Sequence, residues 1–268
     1  MFDLKKLKWF VLIGIVVFYM CSFAGFSEDT SGDMYRGGLI WNNWTKTFAG
    51  GSGELPKGVA NKDFTRCKAC HGWDALGPNG GYVRRSGYPD KTSRPKPIAG
   101  TDLSNMFGKI NAAMVKYEKG RDWSVEDNRM PNFTQVGGLT DQQVADVVAF
   151  LNHGPKITDV ALLDISKKPV DYTFRNADVA KGNELYTKSC QACHGLDGNK
   201  LDIGYEGRVI GYFRSDGKYS EGFIKMIYGA DKVMSREAQG SLRAGQARDI
   251  LAWIQTKVDD PNKTGLDQ

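Results

Sequence analysis

The chain has 268 residues, of which 41% are hydrophobic and 25% charged, which suits a folded protein with room for two domains. Its net charge of +5 is only mildly basic. No basic run is interleaved with aromatic residues in the way that a platform for single-stranded nucleic acid requires. Composition and charge therefore exclude a nucleic-acid partner.

The N-terminal segment has the pattern of an export signal. A basic start at residues 5–8 precedes an uncharged apolar stretch at residues 9–26, with small residues just before Gly25. This pattern predicts a secretory signal peptide over residues 1–24. The apolar stretch reaches the lower edge of a bilayer span, so an uncleaved N-terminal anchor is the alternative. In both cases we expect the rest of the chain to be periplasmic, and in the second case tethered to the membrane.

An aromatic extension follows at residues 25–57 and contains Trp41, Trp44 and Phe48. We expect it to pack as a flap on the first domain. A partner-binding role is the alternative, because tryptophan is enriched at protein–protein contacts.

One five-residue motif, C-x-x-C-H, occurs twice, at residues 67–71 and 190–194. Its thiols are those of Cys67, Cys70, Cys190 and Cys193, and its histidines are His71 and His194. The motif is typical of covalent attachment of c-type haem, because two thiols one helical turn apart reach one porphyrin and the next histidine can bind the iron. A redox disulfide or zinc site is the alternative for a single C-x-x-C pair. Two full copies predict two covalently bound c-type haems.

The fifth cysteine, Cys21, lies in the N-terminal apolar stretch. The exported chain therefore has no spare pair for a structural disulfide. It also has no additional thiolate to bind a haem iron unless Cys21 is retained.

Periodicity predicts helices around both motifs and little sheet. In the first half we predict a middle helix over residues 102–119 and a terminal helix over residues 140–152, which Thr140 begins with a capping box. In the second half, a helix capped by Asn176 or Asp178 leads into the second motif. Two more helices are predicted there, over residues 221–228 and 242–258.

The predicted fold class is all-α, with two haem domains in tandem. The predicted segments are the signal peptide or anchor (1–24), the aromatic extension (25–57), domain 1 (58–153), a linker with Pro155 and Pro169 as breakers (154–175), domain 2 (176–258) and a C-terminal tail (259–268).

This order of elements resembles the class I cytochrome c fold, repeated over roughly residues 58–258. In that family a glycine lets the first helix cross the last one closely, and Gly182 and Tyr186 match the family's positions in the second half. Val59 and Asp63 occupy those positions in the first half. Gly77-Pro78 resembles the family's Gly-Pro, whose proline carbonyl orients the proximal histidine.

The resemblance also implies the sixth iron ligand, a methionine between the middle and last helices. Met130, followed by Pro131, matches this position in the first half, and Met234 matches it in the second. The other methionines of these segments, Met106, Met114 and Met226, fall in predicted helices and are expected in the core. His153 is expected at the surface, just past a helix.

Histidine with methionine favours Fe(II), raises the reduction potential and fills both axial positions. The sequence therefore predicts a periplasmic dihaem cytochrome that passes single electrons from a redox protein donor to an acceptor. It also admits a subunit of a respiratory or oxidoreductase complex at the membrane. The alternative is a dihaem enzyme, either a peroxidase with an open haem or a sulfur-compound dehydrogenase, which would need an unusual distal ligand such as cysteine.

Overall fold

The computed structural model describes residues 31–59, 62–84, 100–116, 137–196 and 217–258, and the single positions 130, 133, 198, 200 and 213. Its helices are α1 Met34–Asn43, α2 Cys67–His71, α3 Ala112–Val115, α4 Asp141–His153, α5 Val179–Ser189, α6 Gln191–His194, α7 Lys218–Tyr228 and α8 Ala244–Val258. Two strands, β1 Ala161–Asp164 and β2 Asp171–Phe174, lie between α4 and α5. The mainly helical fold with little sheet is as predicted. The predicted signal peptide or anchor and the C-terminal tail lie outside the described residues.

Side-chain caps set the starts of several helices. Thr140 and Gln143 form the predicted capping box at the start of α4. Asp178 caps α5 by accepting from the N–H of Lys181 at 2.9 Å, and α5 ends at the second motif as predicted. Gly229, at φ 88°, ends α7 where the sequence places its end.

Two helix pairs, one in each half of the chain, cross at a glycine. In the first pair, α1 packs against α4, and a Cβ on Gly37 would lie 2.1 Å from the carbonyl oxygen of Asp146. In the second pair, α5 packs against α8, and a Cβ on Gly182 would lie 2.0 Å from the carbonyl oxygen of Asp249. Only glycine allows backbones to approach this closely.

Helix α1 lies in the segment predicted to be an extension. It packs on the first half of the chain as expected, but it does so as a core helix against α4 and not as a flap on the surface. Trp41 and Trp44 are each 2% exposed and belong to the core, so they are not a surface for a partner. Helix α1 is therefore the first helix of the first half, and an insertion separates it from the motif at residues 67–71. The residue at which it crosses the last helix is Gly37, so Val59 and Asp63 do not occupy the family's positions. Gly37 and Gly38 lower the intrinsic helix propensity of this segment, but its tertiary packing is sufficient to keep it helical.

The segment predicted to be a linker is folded. β1 and β2 pair antiparallel, with Leu163 opposite Tyr172. Tyr172 is 1% exposed, and its carbonyl accepts from Gln255 of α8 at 2.9 Å. From the first half, the guanidinium of Arg84 donates to the carbonyl of Ile165 at 2.9 Å. The hairpin thus joins both halves, and the described residues from Gly32 onward belong to one compact unit.

Helix α7 is buried on nearly all sides, because both halves pack on it. Towards α8, Gly222 lies against Phe213 and Leu251. Towards the first half, the ring of Tyr228 packs edge-on against Phe150 of α4 with centroids 5.0 Å apart.

The single middle helix predicted over residues 102–119 is wrong for its described part. Residues 104–106 form a 3₁₀ turn and residues 112–115 form α3. Between them Gly108 has φ 81°, which is incompatible with a continuous right-handed helix. Asn152 of α4 accepts from the N–H groups of Gly108 and Ile110, so a contact with another helix stabilises this break.

Among the residues that the structure describes, no helix is both long enough and apolar enough to cross a membrane.

Candidate haem sites

The first motif forms a short helix, α2, that places both of its thiols in partly buried positions. Cys67 and Cys70 are free thiols. Burial raises the pKa of Cys67 to about 12, with a smaller contribution from Cys70, so this thiol is protonated at neutral pH. Helix α2 ends at Gly72, whose N–H donates to the carbonyl of Lys68 at 3.0 Å.

His71 is oriented by a backbone carbonyl. Its Nδ1 lies 3.0 Å from the carbonyl oxygen of Thr101, and Gly100 lies against the ring so closely that a Cβ there would be 2.7 Å from Nδ1. Burial lowers the pKa of His71, and the Thr101 contact opposes this effect. A neutral imidazole whose Nδ1–H is held by a carbonyl leaves Nε2 to bind a metal. The expectation that Pro78 supplies this carbonyl is wrong, because Thr101 supplies it.

The second motif consists of Cys190, the N-cap residue of α6, and the four residues of α6. Cys190 and Cys193 are also free thiols, and Cys193 is exposed. Burial raises the pKa of Cys190 to about 11, with a smaller effect of Cys193. Burial also lowers the pKa of His194. Its Nδ1 is buried and has no hydrogen-bond partner among the described residues.

Each motif is followed by a glycine whose carbonyl accepts a hydrogen bond from an aromatic side chain of an earlier helix. Gly72 and Gly195 follow the two histidines with φ 80° and 81°, so each needs a residue that tolerates the left-handed region. Trp41 of α1 donates its indole N–H to the carbonyl of Gly72 at 2.9 Å. Tyr186 of α5 donates its hydroxyl to the carbonyl of Gly195 at 3.0 Å. Each aromatic residue lies four positions after a crossing glycine, so the two sites are repeats of one design.

The two predicted distal residues both lie half-buried. Met130 packs against the core, although most of the residues that follow it lie outside the described residues. Met234 lies in the loop between α7 and α8, where its N–H donates to Asp231 Oδ1 at 2.8 Å. Their coordination of iron stays a prediction.

The other methionines and His153 differ in how deeply they are buried. Met226 is 6% exposed and belongs to the core, as predicted. Met106 is partly buried against the core. Met114 is 46% exposed, so the expectation of a core position is wrong for it. His153 is exposed at the end of α4, as expected.

Within the described ranges, no three His, Cys, Asp or Glu side chains are grouped so that they could hold a metal ion.

Two family models match the chain. One described as "Cytochrome c" matches residues 59–155, and one described as "Cytochrome C oxidase, cbb3-type, subunit III" matches residues 177–254. The chain belongs to the c-type cytochromes. It is a tandem of two cytochrome c domains, as the sequence predicted, and no curated protein matches it. Helix α1 lies outside the first match.

Cytochrome c domains hold covalent haem and transfer electrons, and the residues of this c-type cytochrome fit that group. Each motif offers two free thiols and a partly desolvated histidine on one turn of helix. The unpartnered Nδ1 of His194 and the carbonyl-bound Nδ1 of His71 are both consistent with an imidazole that binds iron through Nε2.

Sequence reasoning missed Thr101 and Trp41. No sequence signal identifies Thr101, because its carbonyl could belong to any residue type. Trp41 could have been found, because the spacing Asp33–Gly37–Trp41 repeats as Asp178–Gly182–Tyr186.

Proposed function

We propose that the protein is an exported dihaem cytochrome that passes single electrons between redox protein partners. The observation that supports this most is the duplicated site. Each motif has a histidine on a helix turn, followed by a glycine whose carbonyl is bound by an aromatic side chain from the crossing helix. Two sites of the same construction predict one covalent haem in each.

In this proposal the chain holds each iron between an imidazole and a thioether. Cys67 and Cys70 anchor the first haem and Cys190 and Cys193 the second. His71 and His194 are the proximal ligands, and Met130 and Met234 are the distal ones. Haem held by this ligand pair supplies a one-electron couple with a raised reduction potential.

The protein residues contribute rigidity on the side of the proximal histidines. The carbonyl of Thr101 fixes the ring of His71, and Trp41 and Tyr186 fix the turns that end the motifs. A site whose ligands do not move between redox states needs little reorganisation, which favours electron transfer over chemistry on a bound substrate.

A membrane complex is the setting that we favour for one of the partners. The second domain matches a family described as a subunit of a cbb3-type oxidase, over residues 177–254. The N-terminal apolar stretch at residues 9–26 would serve such a setting either as a signal peptide or as an anchor. We propose export to the periplasm in both cases.

Haem counting tests the proposal directly. The mass of the denatured mature chain should exceed that of the polypeptide by two haems. The C67S/C70S and C190S/C193S variants should each lose one haem, and the other should remain. A single haem in the wild type, or zinc in its place, would contradict the proposal.

Ligand binding separates the carrier from the dihaem enzyme. The reduced wild-type protein should bind little carbon monoxide, because both axial positions are filled. Stoichiometric binding by the wild type would show an open haem and favour a peroxidase.

N-terminal sequencing of the exported protein should find Gly25 or a near neighbour, and a membrane-bound chain beginning at Met1 would favour the anchor.

A further inference from the structure

The loop that contains Met234, residues 229–241, is shaped by hydrogen bonds of its own. Asp231 Oδ1 accepts from the N–H groups of Val233 and Met234, both at 2.8 Å. The N–H of Ala230 donates to the carbonyl of Met234 at 2.9 Å. These bonds set the internal shape of the Met234 loop, but they do not fix its place on the protein.

A buried amide ties the Met234 loop to α7. Gln239 is 5% exposed, and its Nε2 lies 3.0 Å from the carbonyl oxygen of Lys225 and 3.2 Å from those of Met234 and Ser235. Lys225 belongs to the last turn of α7. This anchor lies entirely within the second half of the chain.

A second anchor reaches the first half. The guanidinium carbon of Arg236 lies 3.9 Å from the centroid of the Tyr35 ring, and Tyr35 belongs to α1. The same guanidinium donates from Nη1 to Ser241 Oγ at 3.0 Å, which links the middle of the loop to its end. Tyr35 in turn lies beside Tyr228, the last residue of α7, with ring centroids 5.9 Å apart.

We infer that Arg236 is a positioning residue, which holds Met234 in place by stacking on Tyr35. The inference rests on the proposed role of Met234 as the distal ligand of the second haem. The stack is a cation–π contact between half-buried groups, so it resists displacement of the loop. The first half of the chain thereby sets how firmly the second iron keeps its sixth ligand.

The loss of this contact has a defined consequence. The Met234 loop would spend more time displaced, and an external ligand would reach the iron more often. Cyanide binding to the oxidised protein measures this displaced fraction, because cyanide binds only when the methionine has left. The expected increase in the binding rate of the second haem is about 2- to 30-fold, the factor that corresponds to a contact of this type.

The experiment compares five variants of the full-length haem-loaded protein. Arg236→Ala, Tyr35→Ala and the double variant should each accelerate cyanide binding, and the double variant should add little to the single ones. Tyr35→Phe keeps the ring and should behave as the wild type. Arg243→Ala, an exposed arginine two residues beyond the loop, is the matched control. The first haem should bind cyanide at an unchanged rate throughout.

Amide hydrogen exchange gives a readout that is independent of cyanide. The N–H of Met234, bound to Asp231, should exchange faster in Arg236→Ala and in Tyr35→Ala than in Tyr35→Phe. A change in global stability alone would accelerate exchange across the molecule, not in this loop selectively.

The outcomes separate the two hypotheses. Met234→Ala should first open one haem to cyanide, and if it does not, Met234 is not the ligand and the role of Arg236 is overturned with it. If Met234→Ala opens the haem but Arg236→Ala and Tyr35→Ala leave the rate of cyanide binding unchanged, Met234 is the ligand and Arg236 does not position it. Additive effects in the double variant would also contradict it, since the two residues would then act separately.

Discussion

Gly37 lies so close to Asp146 that a Cβ on the glycine would be 2.1 Å from the aspartate's carbonyl oxygen. The side chain of Asp146 accepts from the N–H of Asp33 at 2.8 Å and forms an ion pair with Arg36. Asp249 repeats this arrangement in the second half by accepting from the N–H of Asp178 at 3.1 Å. The two crossings therefore have the same backbone contact and the same carboxylate.

We expect Gly37→Ala and Gly182→Ala each to destabilise the protein by about 1–3 kcal/mol, because the added methyl overlaps a backbone carbonyl and forces the helices apart. Gly245→Ala is the control, since a Cβ there meets only the end of the Arg248 side chain, at 4.0 Å. The measurement is urea unfolding of the haem-loaded protein. Equal urea midpoints for Gly37→Ala and Gly245→Ala would show that α1 and α4 have room for a methyl group at Gly37, which would contradict the prediction.

The second prediction concerns the distal ligands. Met130→Ala and Met234→Ala should each leave one iron without its thioether, lower the potential of that haem and allow one equivalent of carbon monoxide to bind. Met226→Ala should instead cost about 2–5 kcal/mol of stability as a core truncation and leave both iron spectra unchanged. Absorption spectra and redox titration check this. A spectral change in Met226→Ala but not in Met234→Ala would move the second ligand to Met226.

The third prediction concerns Glu221 on α7, which forms ion pairs with Lys225 at 2.7 Å and Lys218 at 3.3 Å. Burial alone would raise its pKa, but the charges of Lys225, Lys68 and Lys218 outweigh burial and lower the pKa from 4.5 to about 2. Lys68 belongs to the first motif, so this carboxylate connects the two halves.

Because the folded pKa of Glu221 is lowered, the unfolded chain binds its proton first as the pH falls. The stabilisation is present above pH 4.5 and is lost as the pH falls towards 2. Its size is about 3 kcal/mol at 1.36 kcal/mol per pKa unit. Glu221→Gln should therefore be less stable than the wild type at pH 7 by up to that amount, and the difference should vanish near pH 2. A difference independent of pH would contradict the assignment.

The fourth prediction concerns Asp74, which should show the opposite pH dependence. Burial raises its pKa, although the N–H groups of Gly81 and Leu76 and the hydroxyl of Ser220 donate to it. The Ser220 hydroxyl lies 3.0 Å from that of Tyr172, so loop, helix and hairpin meet at this carboxyl.

With its folded pKa above the ordinary 3.8, Asp74 binds a proton more tightly in the folded state. Its contribution to stability therefore decreases as the pH rises above 3.8. The difference in unfolding free energy between wild type and Asp74→Asn should shift in favour of the variant as the pH rises from 3 to 7. The same trend as in Glu221→Gln would refute this.

The sequence predicted the parts of the fold that depend on local signals. The capping box of Thr140 and the cap of Asp178 depend on residues three positions apart, so helices α4 and α5 were identified correctly. The motif cysteines and histidines are likewise a local pattern. The second half was predicted better because its first helix runs directly into its motif.

The remaining features depend on tertiary contacts that a linear pattern does not contain. Helix α1 has two glycines and is separated from its motif by an insertion, so it resembled an extension. Asn152 stabilises the break at Gly108 from a different helix. The carbonyl at His71 comes from Thr101, thirty residues away, and any residue type could supply it.

The insertion between α1 and the first motif affects the order in which the parts of the first half can fold during synthesis. Asp33 and Asp146 are 113 residues apart in sequence, whereas Asp178 and Asp249 are 71 apart. Helix α1 is therefore synthesised long before α4, the helix that covers its apolar face. Residues 67–71 are also synthesised before α4. We expect the attachment machinery to meet the first motif on an open chain, and the first core to close slowly around a haem that is already bound.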